Sequence, residues 1–310
     1  MKAEVIKQDP KLEEKINPQN DAGIGPWKMI WIKFKANKLA LAGAIILAII
    51  ILLVIIGPWF SPYERDAMDY TAVNLPPSLK HFCGTDHLGR DVFTRILYGG
   101  RISLSVGVVS TSITIILAII IGGASGYFGG RIDNVLQRIG EIVSAIPFLP
   151  LMMTLSAVMM GRIPEEKKMY FIMALIGVLS WPGLSRIIRA EILTLKEREF
   201  VVAAKAMGYS VPRQIFIHLI PNTVGYIVVN AAFGMVGAML TEAGLSYLGL
   251  GVTPPVPTWG NLINAATDPY NLQFRFWLWV IPGIFLFLTV LSINLIGEGF
   301  RDAFDPKEQG

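Results

Sequence analysis

Residues 190–222 read AEILTLKEREFVVAAKAMGYSVPRQIFIHLIPN, and they decide how the rest of the chain is read. This is the longest polar, positively charged interruption in an otherwise apolar second half. It lies between two runs long enough to cross a bilayer, yet it has the composition of ordered helices. Over 191–207 good helix formers dominate, and Gly208 follows as the left-handed stop that ends such a helix. Ser210 is placed to cap a second short helix with Pro212 in its first turn. Ala203, Ala204 and Ala206 give the first helix a face of little bulk, able to seat in a groove on another protein. A folded helix–turn–helix between two membrane spans is a handle for a partner.

The composition agrees with a membrane setting. Of 310 residues, 53% are hydrophobic and only 16% are charged, against roughly 25% in soluble domains; the mean hydropathy is +0.53. The net charge of +4 is modest and reflects membrane topology, not nucleic-acid binding. A single cysteine, Cys83, allows no internal disulfide framework. The first residues are polar and mixed in charge, and no short apolar stretch ends in a cleavage site, so no signal peptide is expected.

In chain order, residues 1–38 form a lysine-rich tail in which Trp27, Trp31 and Phe34 recur at helical spacing, as in a segment lying at the membrane interface. Six apolar runs are expected to cross: 39–60, 102–122, 135–160, 169–188, 223–241 and 276–296. Six crossings put both termini on one side. With the N-terminus inside, the inner segments carry about twice the Lys and Arg of the outer ones, which makes the 190–222 loop cytoplasmic. The organisation expected is therefore a cytoplasmic tail (1–38), a first crossing, an extracytoplasmic segment (61–101), a five-helix core (102–297) and a cytoplasmic tail (298–310).

The extracytoplasmic segment holds His81, Cys83, Asp86 and His87, whose spacing fits no common zinc pattern. Thr85 or Asp86 is expected instead to cap a helix that Gly99 and Gly100 stop. Within the membrane, Arg138 and Glu141 are spaced to pair on one helix face, and Pro147, Pro150 and Pro182 to kink their helices. Gly122, Gly126 and Gly130 allow close helix contact, and Gly234, Gly237 and Ala238 form a second small-residue stripe, read as packing before pore lining. Glu242, at the outer end of the fifth run, is read as capping or snorkelling, with a place on a substrate path as the sharper alternative.

Four readings can be weighed. The Gly123–Gly126 stretch GASG resembles the serine motif of rhomboid-type intramembrane proteases, but His81, His87 and His218 all lie outside the spans, so Ser125 has no base. The chain has no Gly-Lys dipeptide and hence no phosphate loop of that kind for ATP. A self-sufficient secondary transporter would show internal repeats and a cluster of intramembrane carboxylates, and neither is found. A subunit driven from outside, or a non-conducting membrane scaffold, remains.

The residues then carry a resemblance. Ala203-Ala-Lys-Ala-Met-Gly208, with Pro221 thirteen residues after the glycine, resembles the cytoplasmic coupling loop of ABC-importer membrane subunits. FCGTDHLGRDVFTRILYGGRISLSVG (82–107), GYFGGRID (126–133), SWPGLSRIIRAEIL (180–193), EAGLSYLGLGVTPPVPTWG (242–260) and GEGFRDAFDP (297–306) resemble the C-type subunit of the dipeptide/oligopeptide permease branch, so the likeness spans nearly all of 39–306. It implies an all-α membrane protein with the type I importer (MetI-like) permease fold and a cytoplasmic coupling helix. It also implies a second homologous permease subunit, two ABC ATPase subunits that bind ATP and Mg, an extracytoplasmic substrate-binding protein, and no cofactor, catalytic group or metal in this chain. Relatives of this branch handle peptides, nickel chelates and oligosaccharides; peptides are the expected cargo. ATPase coupling would fall to Glu199, Ala203, Ala204, Gly208, Tyr209, Pro212, Arg213 and Pro221, and the translocation path to Glu242 and Trp259, with His81 and Cys83 as further contacts. Two departures stand out. Val202 occupies the position of the usual glutamate, for which Glu199 one turn earlier can substitute, and His218 replaces an aliphatic residue.

Overall fold

A computed structural model of the chain describes residues 25–159 and 162–304; the tail before residue 25, the end of the expected 135–160 crossing and the last residues lie outside them. The described residues form helices and connections, with one isolated bridge between Thr85 and Asp91. The helices are α1 (Pro26–Ala36), α2 (Lys38–Phe60), α3 (Val92–Phe128), α4 (Gly130–Ala145), α5 (Phe148–Met159), α6 (Glu165–Leu195), α7 (Glu199–Ala206), α8 (Val211–Arg213), α9 (Val224–Tyr247), α10 (Trp259–Ile263), α11 (Pro269–Phe274) and α12 (Trp277–Phe304). Five stretches are long and apolar enough to cross a bilayer, and the bent pair α4–α5 brings the number to six if it makes one pass.

The spine is the packing of α3 against α6. Small residues let the two backbones close up: a Cβ at Gly126 would strike the carbonyl of Arg189, and one at Gly177 the carbonyl of Ser110. Ser110 and Thr114 donate across the seam to the carbonyls of Met173 (2.9 Å) and Gly177 (3.0 Å). Gly122 belongs to the same seam, pressed on the carbonyl of Ser185. Gly130 does not, contrary to expectation: its φ is +53° and open space surrounds it, so it serves the turn into α4.

Around the spine, α2 lies on α12, with Gly43 against the Ser292 carbonyl. Pro58 lacks an N–H for the Val54 carbonyl, and Arg101 of α3 supplies the missing donor at 2.9 Å. At the other end α1 clasps α12 through stacked Phe34 and Phe300 rings 4.6 Å apart and a bond from the Asn37 amide to Asp302. Trp27 and Trp31 stay exposed on its outer side.

Three expectations need correction. Helix α3 has 37 residues, about 55 Å of rise, far more than the 102–122 crossing. Gly99 and Gly100 do not stop it; they sit mid-helix because the Thr258 backbone and the Trp259 ring press on them too closely for a side chain. Its cap is Asp91, which accepts from the Thr94 N–H and hydroxyl, while Asp86 folds into a local turn held by Arg90. The third crossing is not one helix: α4 and α5 meet at a bend of 71°. Pro147 forces Ile146 out of the helical region to ψ 123°, and the amphipathic α4 turns away from the apolar α5. Arg138 and Glu141 do pair on α4, at 2.8 Å and well exposed. Finally, the helix expected over 191–207 is two: α6 ends at Leu195, and α7 starts afresh after an extended Arg198.

The segment before α3 forms an irregular outer cap. Arg95, nearly free of solvent, reaches from α3 to Asp66 (3.1 Å) and to the Pro255 carbonyl (3.3 Å), tying two outer loops to one helix. His81 bonds Asp91 at 2.9 Å and stacks on Tyr63. Cys83 is buried beside them, and its thiol is pushed up to about 11 by that burial and secondarily by the Asp91 carboxylate. Among the described residues, no three His, Cys, Asp or Glu side chains come together around a metal position.

Candidate functional site

The elbow between α6 and α9 is built as a rigid corner. Helix α7 ends in a full Schellman closure: the Gly208 N–H donates to the Lys205 carbonyl (3.0 Å) and the Tyr209 N–H to that of Ala204 (3.2 Å). Such a closure requires the left-handed φ of +75° that Gly208 adopts. The chain then re-enters helix at Ser210, whose hydroxyl makes no cap, with Pro212 in the first turn. It continues as a π-turn (Gln214–Leu219) and a 3₁₀ turn (Ile220–Thr223) containing Pro221 before α9 begins.

The inner side of this corner is welded to the bundle. Val201 packs with Ile215 and Leu219 against Ile188, Ile192 and Ala118, and Ala204, three residues further along α7, is buried on the same side. The buried Gln214 side chain donates to the Tyr209 carbonyl (2.6 Å) and accepts from the Tyr127 hydroxyl of α3 (2.7 Å). Lys196 bonds the Gly126 carbonyl, and Arg189 forms a paired contact with Asp133, which also accepts from Ser125. Tyr209 is sandwiched: the Arg213 guanidinium lies 4.2 Å from its ring centroid and His218 stacks 5.6 Å from it.

The outer side is bare. Val202 is 54% exposed and Met207 62%, with Ala203, Lys205, Ala206 and Gly208 exposed around them. Glu199 opens α7 where the helix dipole favours a carboxylate, exposed and bound to no partner among the described residues. Pro212, Arg213 and Pro221 are exposed too. The structure therefore divides the alanines: Ala203 and Ala206 face outward, whereas Ala204, 1% exposed, packs inward and cannot belong to a docking face. The π-turn places His218 under Tyr209, which accounts for an aromatic partner where an aliphatic residue was expected.

Glu242 and Trp259 brace the opposite end. Glu242 neither caps nor snorkels: it is 0% exposed and accepts from Ser246 (2.6 Å), whose oxygen in turn accepts from the Val252 N–H. Trp259, also 0% exposed, donates its indole N–H to the Ile96 carbonyl (3.0 Å) and its backbone N–H to Ser103 (3.1 Å). A capping box between Thr258 and Asn261 holds this short helix, and Gly260 lets it close on the Ala243 backbone. Both side chains are sealed from solvent by this loop. Sequence reading missed Gln214, Asp133 and Arg189 as elements of the corner. Asp133 and Arg189 stand in quoted motifs, but 56 residues of separation give no hint of pairing.

Comparison with known proteins agrees with this architecture. A family model described as the binding-protein-dependent transport system inner membrane component matches residues 114–309. A second, the N-terminal TM domain of oligopeptide transport permease C, matches residues 25–77. The chain is 41% identical over 277 residues to the dipeptide transport system permease protein DppC of Bacillus subtilis (strain 168), covering 89% of this chain and 84% of that one. It is 37% identical to the oligopeptide transport system permease protein OppC of the same organism over 281 residues, 91% and 90% of the two chains. The corresponding protein of Haemophilus influenzae is 37% identical over 303 residues, 96% and 94% of the two.

Proposed function

This chain belongs to the family of binding-protein-dependent transport system inner membrane components, and on that premise we propose that it is one half of the membrane pathway of an ATP-driven peptide importer. A second, homologous permease subunit completes the pathway. An extracytoplasmic binding protein delivers peptide, and two ATPase subunits hold ATP and Mg and dock on the elbow; no hydrolytic group comes from this chain. Both termini lie in the cytoplasm, as six passes with a cytoplasmic elbow require.

The observation that carries this reading is the two-sidedness of the elbow. One side is bonded into α3, α6 and the start of α9; the other offers a small, exposed, partly apolar surface around Val202, Ala203 and Met207. A push on that surface is not absorbed locally, because the Schellman closure and Gln214 leave no slack between the corner and the spans. Closure of the ATPases on ATP drags the corner as a rigid body and rocks α6 and α9, exchanging outward for inward access. With Val202 in place of the usual glutamate, the charged groups on this side are Glu199, Lys205 and Arg213, and Glu199 is the carboxylate that takes over the contact.

The test is uptake of a labelled tripeptide into vesicles holding the whole complex. Uptake is expected only with both ATP and binding protein, and the chain alone is expected to hydrolyse no ATP. A complex that assembles and burns ATP yet moves no solute would make the chain a scaffold and overturn the reading.

A further inference from the structure

A cavity of about 290 Å³ opens between α3, α6 and α9, at the lower end of the roughly 300–1,000 Å³ usual for small-ligand sites. It sits at the middle of the bundle. Ser110 is 18 residues from either end of α3, Ser180 is 15 from either end of α6, and Gly234 lies 10 residues into α9. Five polar side chains line it, namely Ser110, Thr111, Thr114, Ser180 and Asn230, and no charged one does. Polar groups at this depth are costly in a bilayer and call for a reason.

Their hydrogen bonding indicates what they would bind. Ser110, Thr114, Ser180 and Asn230 each donate to a backbone carbonyl, at 2.6–3.0 Å. What they retain is mainly acceptor capacity, in the hydroxyl lone pairs and the amide oxygen. Thr111, only 6% exposed, has a hydroxyl with no partner among the described residues. The wall opposite is kept thin: a Cβ at Gly234 would only touch Thr111, at 3.4 Å. Glycine in a helix interior is unfavourable by itself, so the space it leaves is the feature.

We propose that this cavity is a transit site for the cargo, in which Thr111, Thr114, Ser180 and Asn230 accept hydrogen bonds from peptide N–H groups and the terminal ammonium. This deepens the importer reading and rests on it. A neutral, acceptor-rich wall recognises the part common to all peptides and ignores their side chains. Because it carries no formal charge, it holds the cargo weakly enough to let it leave, as conduction requires.

The experiment uses the complete complex in vesicles, with Cys83→Ser removing the single native thiol of this chain and the partner subunits freed of theirs. Asn230→Cys is placed in the cavity, and Ile116→Cys, on the exposed apolar face of α3 and outside the cavity lining, is the control. A charged, water-soluble thiosulfonate is expected to label Asn230→Cys, with a rate that changes at least tenfold between nucleotide-free and ATP–vanadate-trapped complexes and falls with saturating tri-alanine and binding protein. Ile116→Cys should stay unlabelled. Failure of Asn230→Cys to react in every state overturns the proposal. Gly234→Phe should fill the cavity and cut tri-alanine uptake at least tenfold while stimulated ATP hydrolysis persists; undiminished uptake also overturns it. If Gly234→Phe does not assemble, the labelling decides alone. Wild-type uptake is measured in parallel, so that absence of any peptide transport counts against the importer reading and not against the site alone.

Discussion

Replacing Gly208 separates the backbone conformation of the elbow from its contacts. Nothing lies within 4 Å of a Cβ built there, so a side chain meets no clash and the whole penalty comes from holding φ at +75°. For an L-residue that region costs about 1–2 kcal/mol, and stiffening of the open form by a Gly→Ala change offsets part of it, leaving about 1 kcal/mol, or roughly fivefold in an equilibrium. Asn visits this region more readily than Ala, and β-branched Val least of all. Hydrogen exchange at Gly208 and Tyr209, whose N–H groups close the Schellman turn, is the direct readout on the assembled complex. Exchange should speed up about fivefold for Gly208→Ala, less for Gly208→Asn and more for Gly208→Val. Peptide uptake per ATP should fall in the same order, because a corner that opens transmits less of the stroke. The reasoning fails if Gly208→Val exchanges and transports like the wild type, or if Gly208→Asn is worse than Gly208→Ala.

Other outcomes follow from the same geometry. Ala203→Arg should insert and fold normally yet lose ATPase docking, read as loss of co-purifying ATPase, whereas Ala204→Arg should lower the yield of folded protein, since it forces a charge into a site where the native side chain is 1% exposed; equal behaviour of the two would sink the assignment of faces. Trp259→Ala should destabilise the complex by about 3–5 kcal/mol, and Trp259→Phe by about 1 kcal/mol for the lost bond to Ile96, both seen as a lowered Tm in detergent. With its thiol at about 11, Cys83 should be about 0.1% thiolate at pH 8. Its alkylation by iodoacetamide should therefore still climb with pH beyond 10, where the unfolded chain, with its midpoint near 9, has almost levelled off. The sign for stability is the same: the unfolded thiol loses its proton first, so the fold loses this contribution as pH rises from 9 towards 11.

Runs such as 39–60 and 276–296 are legible because a bilayer admits few alternatives: about 20 apolar residues can only be a spanning helix. The elbow is legible for a different reason, since Gly208 and the helix formers before it act locally, within one turn of the chain. Gly99 and Gly100 show the limit. In sequence they read as a stop, and only the approach of Thr258 and Trp259, some 160 residues away, shows them to be clearance for a neighbour. Pro147 shows the converse, a local signal whose size, 71°, depended on how α4 and α5 were drawn apart by their different surfaces.

What the amino-acid order determined by itself was the class: an all-α membrane protein with several passes and a stiff polar corner between two of them. Local propensity and the solvent settle such matters, and both act over a few residues. Which alanine faces a partner, that Glu242 is sealed in, that Asp133 finds Arg189, and that five uncharged polar groups surround one cavity at mid-helix were decided only when distant helices packed. Those facts depend on the rotation of each helix about its axis, and that rotation is set by the joint fit of all its neighbours.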